Sequence, residues 1–175
     1  MPLIAYVSGA VLTATLLSAG SIDHRVQTAE PEYVAIRMEI DINKPAADVW
    51  AKVGGYCDLG KWLAAGREIP CVVTSGNGGI GTVRKIGTNV IEVLIARTDL
   101  SYGYTQPAVE GKWYNLYHGF LEAKPVSATT SKLIYTLLLD VSDKTDQAAK
   151  DADIARRRTT FEGALANMKR IAEAS

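Results

Sequence analysis

The sequence predicts an α+β fold in which a curved, seven-stranded antiparallel sheet wraps around a long C-terminal helix, with two short helices after the first strand. Three observations predict it. A strand pattern is followed by short helical stretches, strand-like segments then recur up to residue 142, and one long amphipathic pattern closes the chain. Strands and helices that occupy separate parts of a chain are typical of this class. The same order predicts a cavity between the sheet and the terminal helix.

The first strand is predicted from apolar residues at every second position: Val34, Ile36, Met38, Ile40 and Ile42. Arg37, Glu39 and Asp41 lie between them, so one face is expected in the core and the other in water.

Two short helices are predicted next. Pro45 suits the first turn of a helix and Gly54-Gly55 suits its end. The second helix is expected from Asp58, which is a good N-cap, to Gly66.

Six further strands are predicted, with uncertain boundaries, between turn signals: Cys71–Ser75, Gly81–Ile86, Val90–Thr98, Leu100–Thr105, Tyr114–Ala123 and Lys132–Val141. The last helix is expected to begin near Thr145 or Asp146 and to run for roughly 25 to 30 residues, well above the mean for globular proteins. Its apolar stripe consists of Ile154, Phe161, Leu165, Met168 and Ala172.

The N-terminal segment, residues 1–20, is uncharged from Leu3 to Gly20 and rich in Leu, Ala and Val. This pattern predicts a signal peptide, although no Lys or Arg precedes the apolar run. A short membrane anchor and an ordinary helix packed on the domain are the alternatives. Residues 21–32 then form a linker and 33–175 the domain. The protein is expected to be exported, periplasmic or secreted, or cytoplasmic if the segment is no signal. Membrane contact is expected only through this segment if it stays uncleaved.

Charge and motif content exclude several classes of function. The formal net charge is zero and the one basic cluster, Arg156-Arg157-Arg158, is interpreted as a solvated helix face, so no nucleic-acid partner is expected. The two histidines, His24 and His118, lack the spacing of a metal site or a triad. No metal and no cofactor are therefore predicted.

Two further patterns have structural interpretations. Cys57 and Cys71 form either one disulfide or two ordinary thiols, and without a CxxC pair they indicate neither a zinc ribbon nor thioredoxin chemistry. The glycine-rich stretch 76–81 leads into a strand and is therefore interpreted as a turn, because phosphate-binding loops open helices.

The candidate site comes from polar residues on otherwise apolar strand faces: Arg84, Glu92, Tyr102, Tyr104, Asn115 and Tyr117. If these faces point toward the long helix, one concavity collects them, and Arg84 neutralises the buried Glu92. Alternatively, Arg84 and Glu92 form an ordinary ion pair on the solvent side, and the tyrosines are common strand residues.

From about Tyr33 to Ala174 the chain resembles the SRPBCC superfamily of helix-grip proteins, which includes Bet v 1 allergens, START lipid-transfer domains and bacterial polyketide cyclases/dehydrases. Its likeness is greatest to the polyketide cyclase/dehydrase and lipid-transport type. The motifs that carry the resemblance are residues 40–50, the Trp62 segment, Gly79–Arg84, Val90–Glu92, Tyr102–Tyr104, Tyr117–Gly119 and Phe161–Lys169.

The resemblance implies a deep apolar cavity that binds a small hydrophobic or aromatic molecule. The positions that line this cavity in members of the superfamily match Arg84, Glu92, Tyr104 and Tyr117 here, with Tyr102 and Asn115 as neighbours. Ligand contacts are also expected from Trp62 and from Phe161, Leu165 and Met168 of the last helix.

Three hypotheses about function remain open. As an enzyme, the chain would hold a phenolic or polyketide-like substrate for cofactor-free cyclisation, dehydration or a lyase step. Glu92 would be the base, Tyr104 or Tyr117 the proton donor, and Arg84 would stabilise an enolate. As a carrier, it would bind a lipid or other hydrophobic molecule without turnover. A structural or protein-interaction module would have its cavity filled by its own side chains.

Overall fold

The computed structural model describes residues 30–64, 67–108 and 115–174. Their helices and strands follow in the order β1 (Tyr33–Ile42), α1 (Ala46–Val53), α2 (Leu59–Trp62), β2 (Cys71–Ser75), β3 (Val83–Ile86), β4 (Val90–Thr98), β5 (Ser101–Thr105), β6 (Tyr117–Pro125), β7 (Ser131–Asp140) and α3 (Gln147–Glu173).

The seven strands form one antiparallel sheet in the order β1-β7-β6-β5-β4-β3-β2. Strands β2 to β7 follow one another as neighbours, and β1 pairs with β7 at the far edge. The curved sheet, the long terminal helix and the two short helices after β1 confirm the predicted α+β, helix-grip class.

The strand register determines which side chains share the concave face. Arg84 pairs with Glu92, Leu94 with Tyr104, and Tyr104 in turn with Gly119. Directly paired residues of antiparallel strands point to the same face. A row of polar side chains therefore crosses the inner face from β3 to β5.

Helix α3 covers this face. Asp146 is its N-cap, because the Asp146 carboxylate accepts the Ala149 N–H at 2.8 Å, and the helix is 27 residues long. Its start and its length were predicted. Its buried stripe consists of Phe161, Ala164, Leu165, Met168 and Ala172.

A disulfide joins Cys57 to Cys71, with the two Cα atoms 5.4 Å apart. It connects the segment between α1 and α2 to β2, at one edge of the sheet. Of the two interpretations of these cysteines, the structure has the bonded one.

Some boundaries differ from the predicted ones. Asp58 does not cap α2 with its side chain; its carboxylate accepts the Gly55 N–H at 2.8 Å and a Lys61 hydrogen bond at 2.6 Å. Strand β3 begins at Val83 rather than at residue 81, because Gly81 has a φ of +89° and belongs to the turn. The glycine-rich stretch is thus a turn between β2 and β3.

Residues 1–29, the helix end at Gly66 and the strand start at Tyr114 lie outside the described residues. Across the described ranges, none of the helices combines the length and apolarity that a membrane span requires.

Candidate functional site

A cavity of about 150 Å³ lies between the sheet, α2 and α3. The cavity wall is formed by Leu59, Leu63, Ile86, Val90, Glu92, Tyr104, Gln106, Tyr117, Tyr135 and Phe161. An engineered apolar cavity of about this volume holds benzene, so there is room here for one aromatic ring. The polar groups on the wall are one carboxyl, one amide and three phenols.

A buried ion pair supports the carboxyl. Arg84 is 0% exposed and Glu92 is 3% exposed. The Arg84 Nε and Nη2 atoms donate to Glu92 Oε2 at 2.9 and 2.6 Å. The Arg84 Nη1 atom donates to the backbone carbonyl of Tyr56. The pair therefore lies inside the molecule, and the solvent-side alternative does not apply.

Arg84 stands behind the cavity wall and not on it. Its guanidinium carbon lies 4.1 Å from the ring centre of Tyr56 and 4.9 Å from that of Tyr104. Because its donors hold Glu92 and a backbone carbonyl, Arg84 is placed to orient Glu92 rather than to touch a ligand. Direct stabilisation of an enolate by Arg84 stays a prediction, and the geometry favours a positioning role.

Glu92 has one oxygen fixed and one less constrained. Its Oε1 atom accepts only a long hydrogen bond among the described residues, from Gln106 Nε2 at 3.3 Å. Burial raises the pKa of the Glu92 carboxyl, and the Arg84 guanidinium opposes this rise without cancelling it. The carboxylate is consequently a stronger base than an exposed glutamate.

Two of the three phenols form a pair. The hydroxyls of Tyr104 and Tyr135 share a hydrogen bond of 2.8 Å. Burial raises the pKa of both groups well above the ordinary value of a phenol. They remain protonated and serve as hydrogen-bond donors.

Tyr117 has a different environment. Its ring centre lies 6.4 Å from that of Tyr104 and 5.1 Å from the guanidinium carbon of Arg157, which belongs to α3. Burial raises the pKa of Tyr117, but the positive charge of Arg157 opposes that rise. Tyr104 has the Arg84 guanidinium near its ring in the same way, but the cation beside Tyr117 comes from α3.

Four predicted site residues lie on the cavity wall: Glu92, Tyr104, Tyr117 and Phe161. Asn115 is half-buried and does not line this cavity.

The other predicted residues do not line this cavity but belong to the packed core around it, and their contact with a ligand stays a prediction. Trp62 is 0% exposed and donates its indole N–H to the Val53 carbonyl at 3.2 Å. Tyr102 packs against Tyr56, with ring centres 5.5 Å apart. Leu165 and Met168 are completely buried farther along α3 than Phe161.

Sequence reasoning missed two residues of the wall. Gln106 follows Tyr102 and Tyr104 at the same period of two, so the alternation could have identified it. Tyr135 interrupts an apolar alternation of Leu133 and Leu137, and a single phenol in such a row could have been recognised as an inward polar group.

The described part of the chain contains no cluster of three or more His, Cys, Asp or Glu side chains that could hold a metal ion. The chemistry available on the wall is that of a carboxylate, an amide and three phenols.

Comparison with known proteins gives a family match. The family model described as polyketide cyclase / dehydrase and lipid transport matches residues 33–173. Family and fold indicate a protein that binds a small hydrophobic ligand. No curated protein matches the sequence significantly.

Several solved structures share the fold. Ara h 8.0201 is 18% identical with a TM-score of 0.58, over 81% of this chain and 98% of that one. XoxI from Bacillus cereus is 20% identical with a TM-score of 0.59, over 78% and 94%. Norcoclaurine synthase from Thalictrum flavum, in complex with dopamine and hydroxybenzaldehyde, is 15% identical with a TM-score of 0.56, over 97% and 99%.

Proposed function

We propose that this chain, which belongs to the polyketide cyclase/dehydrase and lipid-transport family, binds a small phenolic or polyketide-like molecule in its cavity and acts on it by cofactor-free acid–base catalysis. The observation that carries the proposal is the Glu92 carboxylate on the wall of a largely apolar cavity, with one oxygen fixed by a buried arginine. A cavity that only stores an apolar molecule does not require a buried ion pair, whose desolvation is costly.

Glu92 is the proposed base. A general base works best when its pKa lies near the operating pH, and burial moves the pKa of Glu92 in that direction. It would take a proton from a carbon next to a carbonyl group, and the electron pair would move onto the carbonyl oxygen.

The phenol pair of Tyr104 and Tyr135 is the proposed donor to that oxygen. Because their pKa values are raised, these hydroxyls stabilise a developing enolate through hydrogen bonds rather than by giving up a proton. Tyr117 is the proposed proton donor, since Arg157 favours its ionised form. In a dehydration, the proton from Tyr117 would leave with a hydroxyl group of the substrate as water. In a cyclisation, the enolate carbon would attack a second carbonyl group.

A carrier is the second candidate, and the small number of polar groups on the cavity wall favours it. Apolar binding sites commonly use a few such groups only to orient a ligand. On this hypothesis Glu92 and the phenols hold an oxygen of the ligand, and nothing is turned over.

The test separates binding from proton transfer with one probe, 4-hydroxyacetophenone in deuterated water. Binding is followed by NMR titration, and deuterium incorporation at the methyl group next to the carbonyl reports the abstraction of a proton. Glu92→Gln is the test variant, and Glu122→Gln, at an exposed position of β6, is the matched control.

The wild type and the control should accelerate exchange over buffer, whereas Glu92→Gln should lose about 100-fold or more and bind the probe within about threefold of wild type. Binding without accelerated exchange in the wild type would favour the carrier, and absence of binding would contradict both candidates. Because Glu92→Gln leaves Arg84 buried without its counter-charge, its fold is checked by circular dichroism.

A further inference from the structure

Arg157 is a charged residue on the inward face of α3. It precedes Phe161 by four residues, so the two side chains lie on the same face of the helix, about one turn apart. Phe161 belongs to the cavity wall. The Arg157 side chain is only 23% exposed, against 63% for its neighbour Arg156.

The guanidinium of Arg157 lies beside one phenol of the cavity wall. Its central carbon is 5.1 Å from the ring centre of Tyr117, which is part of the wall. The backbone N–H of Gln106, a second wall residue, donates to the Tyr117 carbonyl at 3.1 Å. We call the edge of the wall formed by Tyr117 and Gln106, with Arg157 beside it, the rim.

Among the described residues, the positive charge at the rim is only partly balanced. Asp153 accepts a hydrogen bond from Arg157 Nε at 2.7 Å with one carboxylate oxygen and holds Arg156 with the other. One carboxylate thus serves two guanidinium groups, so these three side chains together carry one net positive charge. The Arg157 side chain also interacts with the Tyr117 phenol, where it opposes the rise in pKa caused by burial.

The interior of the cavity, in contrast, disfavours an anionic group. A carboxylate placed inside would meet Glu92 in a site of low dielectric constant, where like charges repel strongly. An aromatic ring suits the apolar interior, and an anionic group suits the rim. A guanidinium also matches a planar carboxylate, because it can donate two parallel hydrogen bonds.

We infer that the ligand of this cavity is a small aromatic carboxylic acid, with its ring inside the cavity and its carboxylate on the terminal nitrogens of Arg157. This inference rests on the proposed binding of an aromatic molecule in the same cavity and adds its acidic group and its direction.

The experiment compares 4-hydroxybenzoate with 4-hydroxybenzamide, which has nearly the same shape and no charge. Dissociation constants are measured by calorimetry or NMR titration at neutral pH and low salt. The variants are Arg157→Met and, as the matched control, Arg156→Met, which removes the same charge from the same carboxylate partner without a described contact to Tyr117. Arg157→Lys keeps the charge and loses the paired donors.

The wild type should bind 4-hydroxybenzoate about tenfold more tightly than the amide, as expected for charged hydrogen bonds at a half-buried site. Arg157→Met should abolish this preference and should change the dissociation constant of the amide by no more than about twofold from wild type. Arg156→Met should keep the preference. Arg157→Lys should fall between them, and added salt should weaken only the acid.

Equal affinity of the wild type for the two compounds would overturn the inference while leaving the aromatic-ligand proposal intact. This comparison needs no variant, so it stands even if Arg157→Met misfolds. If Arg157→Met weakened the affinity for both compounds equally, Arg157 would only pack against Tyr117, and the inference would be overturned too. If neither compound nor 4-hydroxyacetophenone binds, the proposed function fails and this inference with it.

Discussion

Arg84→Met is expected to lower the stability of the fold strongly. It leaves Glu92, which is only 3% exposed, as a buried carboxylate without the two hydrogen bonds of 2.9 and 2.6 Å that neutralise it. Removal of one partner of a buried ion pair costs about 3–5 kcal/mol of unfolding free energy. For a domain of this size, that corresponds to roughly 10 °C or more in Tm. Methionine is similar in length but loses the contact of the guanidinium with the Tyr56 ring and its hydrogen bond to the Tyr56 carbonyl, so most of the loss is electrostatic.

The double variant Arg84→Met/Glu92→Leu separates the charge from the packing. Replacement of a whole buried ion pair by apolar side chains is often neutral, or even stabilising by about 1–4 kcal/mol. The double variant should therefore be more stable than Arg84→Met alone. Urea unfolding of the wild type, both single variants and the double variant gives the coupling energy, with Lys85→Met, at the next and exposed position of β3, as the control.

The pH dependence of Arg84→Met tests the same reasoning by a second route. Burial raises the pKa of Glu92, and loss of Arg84 removes the charge that opposes the rise. Between the unfolded pKa, about 4.3, and the raised folded pKa, the folded state binds a proton that the unfolded state does not bind. The unfolding free energy of Arg84→Met should therefore decrease as pH rises through this interval. The stability that this variant loses relative to the wild type should be smaller at acidic pH. A variant within about 1 kcal/mol of wild type at pH 7, with no such slope, would refute the assignment of a buried, mutually dependent pair.

Two further changes test the phenols and the disulfide. A methyl group at position 119 would lie 2.3 Å from the Tyr104 ring and hydroxyl, so Gly119→Ala should displace that phenol and weaken binding of 4-hydroxyacetophenone, at a stability cost of about 1–3 kcal/mol. Gly103→Ala, which meets an outer-face side chain, should destabilise without altering affinity in the same titration. Reduction of the Cys57–Cys71 bond, which closes a loop of sequence separation 14, should lower the unfolding free energy by about 3 kcal/mol in urea, and an unchanged midpoint would contradict that.

The fold was predictable because its signals are periodic and local. Alternation along β1, the glycine-rich turn before β3 and the long stripe that ends at Ala172 each identify one element without information from the rest of the chain. The period of two also put Arg84 with Thr82 and Glu92 with Leu94, but it could not tell which face was the inner one. Only the pairing of the strands, together with the position of α3, decides that.

Depth inside the domain could not be predicted from the sequence. Trp62, Leu165 and Phe161 are all large apolar helix residues, yet only Phe161 reaches the cavity. Whether such a side chain fills the core or borders a void depends on how the elements meet in three dimensions. The same limit applies to Arg84, because its place behind Glu92 depends on the backbone carbonyl of Tyr56, which lies 28 residues earlier in the chain.

The three arginines of the basic cluster of α3 differ in exposure, and the run of like charges in the sequence does not show this difference. Interpretation as a solvated face suits Arg156 and Arg158, whose side chains are 63% and 46% exposed. Arg157 departs from it, since helical periodicity puts it in line with Ile154 and Phe161 on the packed face. A run of like charges thus contained one residue with a different neighbourhood.

The two buried or half-buried guanidinium groups have matching effects on the site. Burial alone would raise the pKa of both Glu92 and Tyr117, which makes the first a better base but the second a poorer acid. Arg84 limits the rise for Glu92, and Arg157 limits the rise for Tyr117. Each cation stabilises the anionic form of one of these two groups. In the proposed reaction, Glu92 could therefore accept a proton from the substrate and Tyr117 could donate one, and no buried charge would be left without a counter-charge. The hydroxyls of Tyr104 and Tyr135 share a hydrogen bond, and the strongly raised pKa values of both phenols suit the pair to donate hydrogen bonds throughout such a cycle.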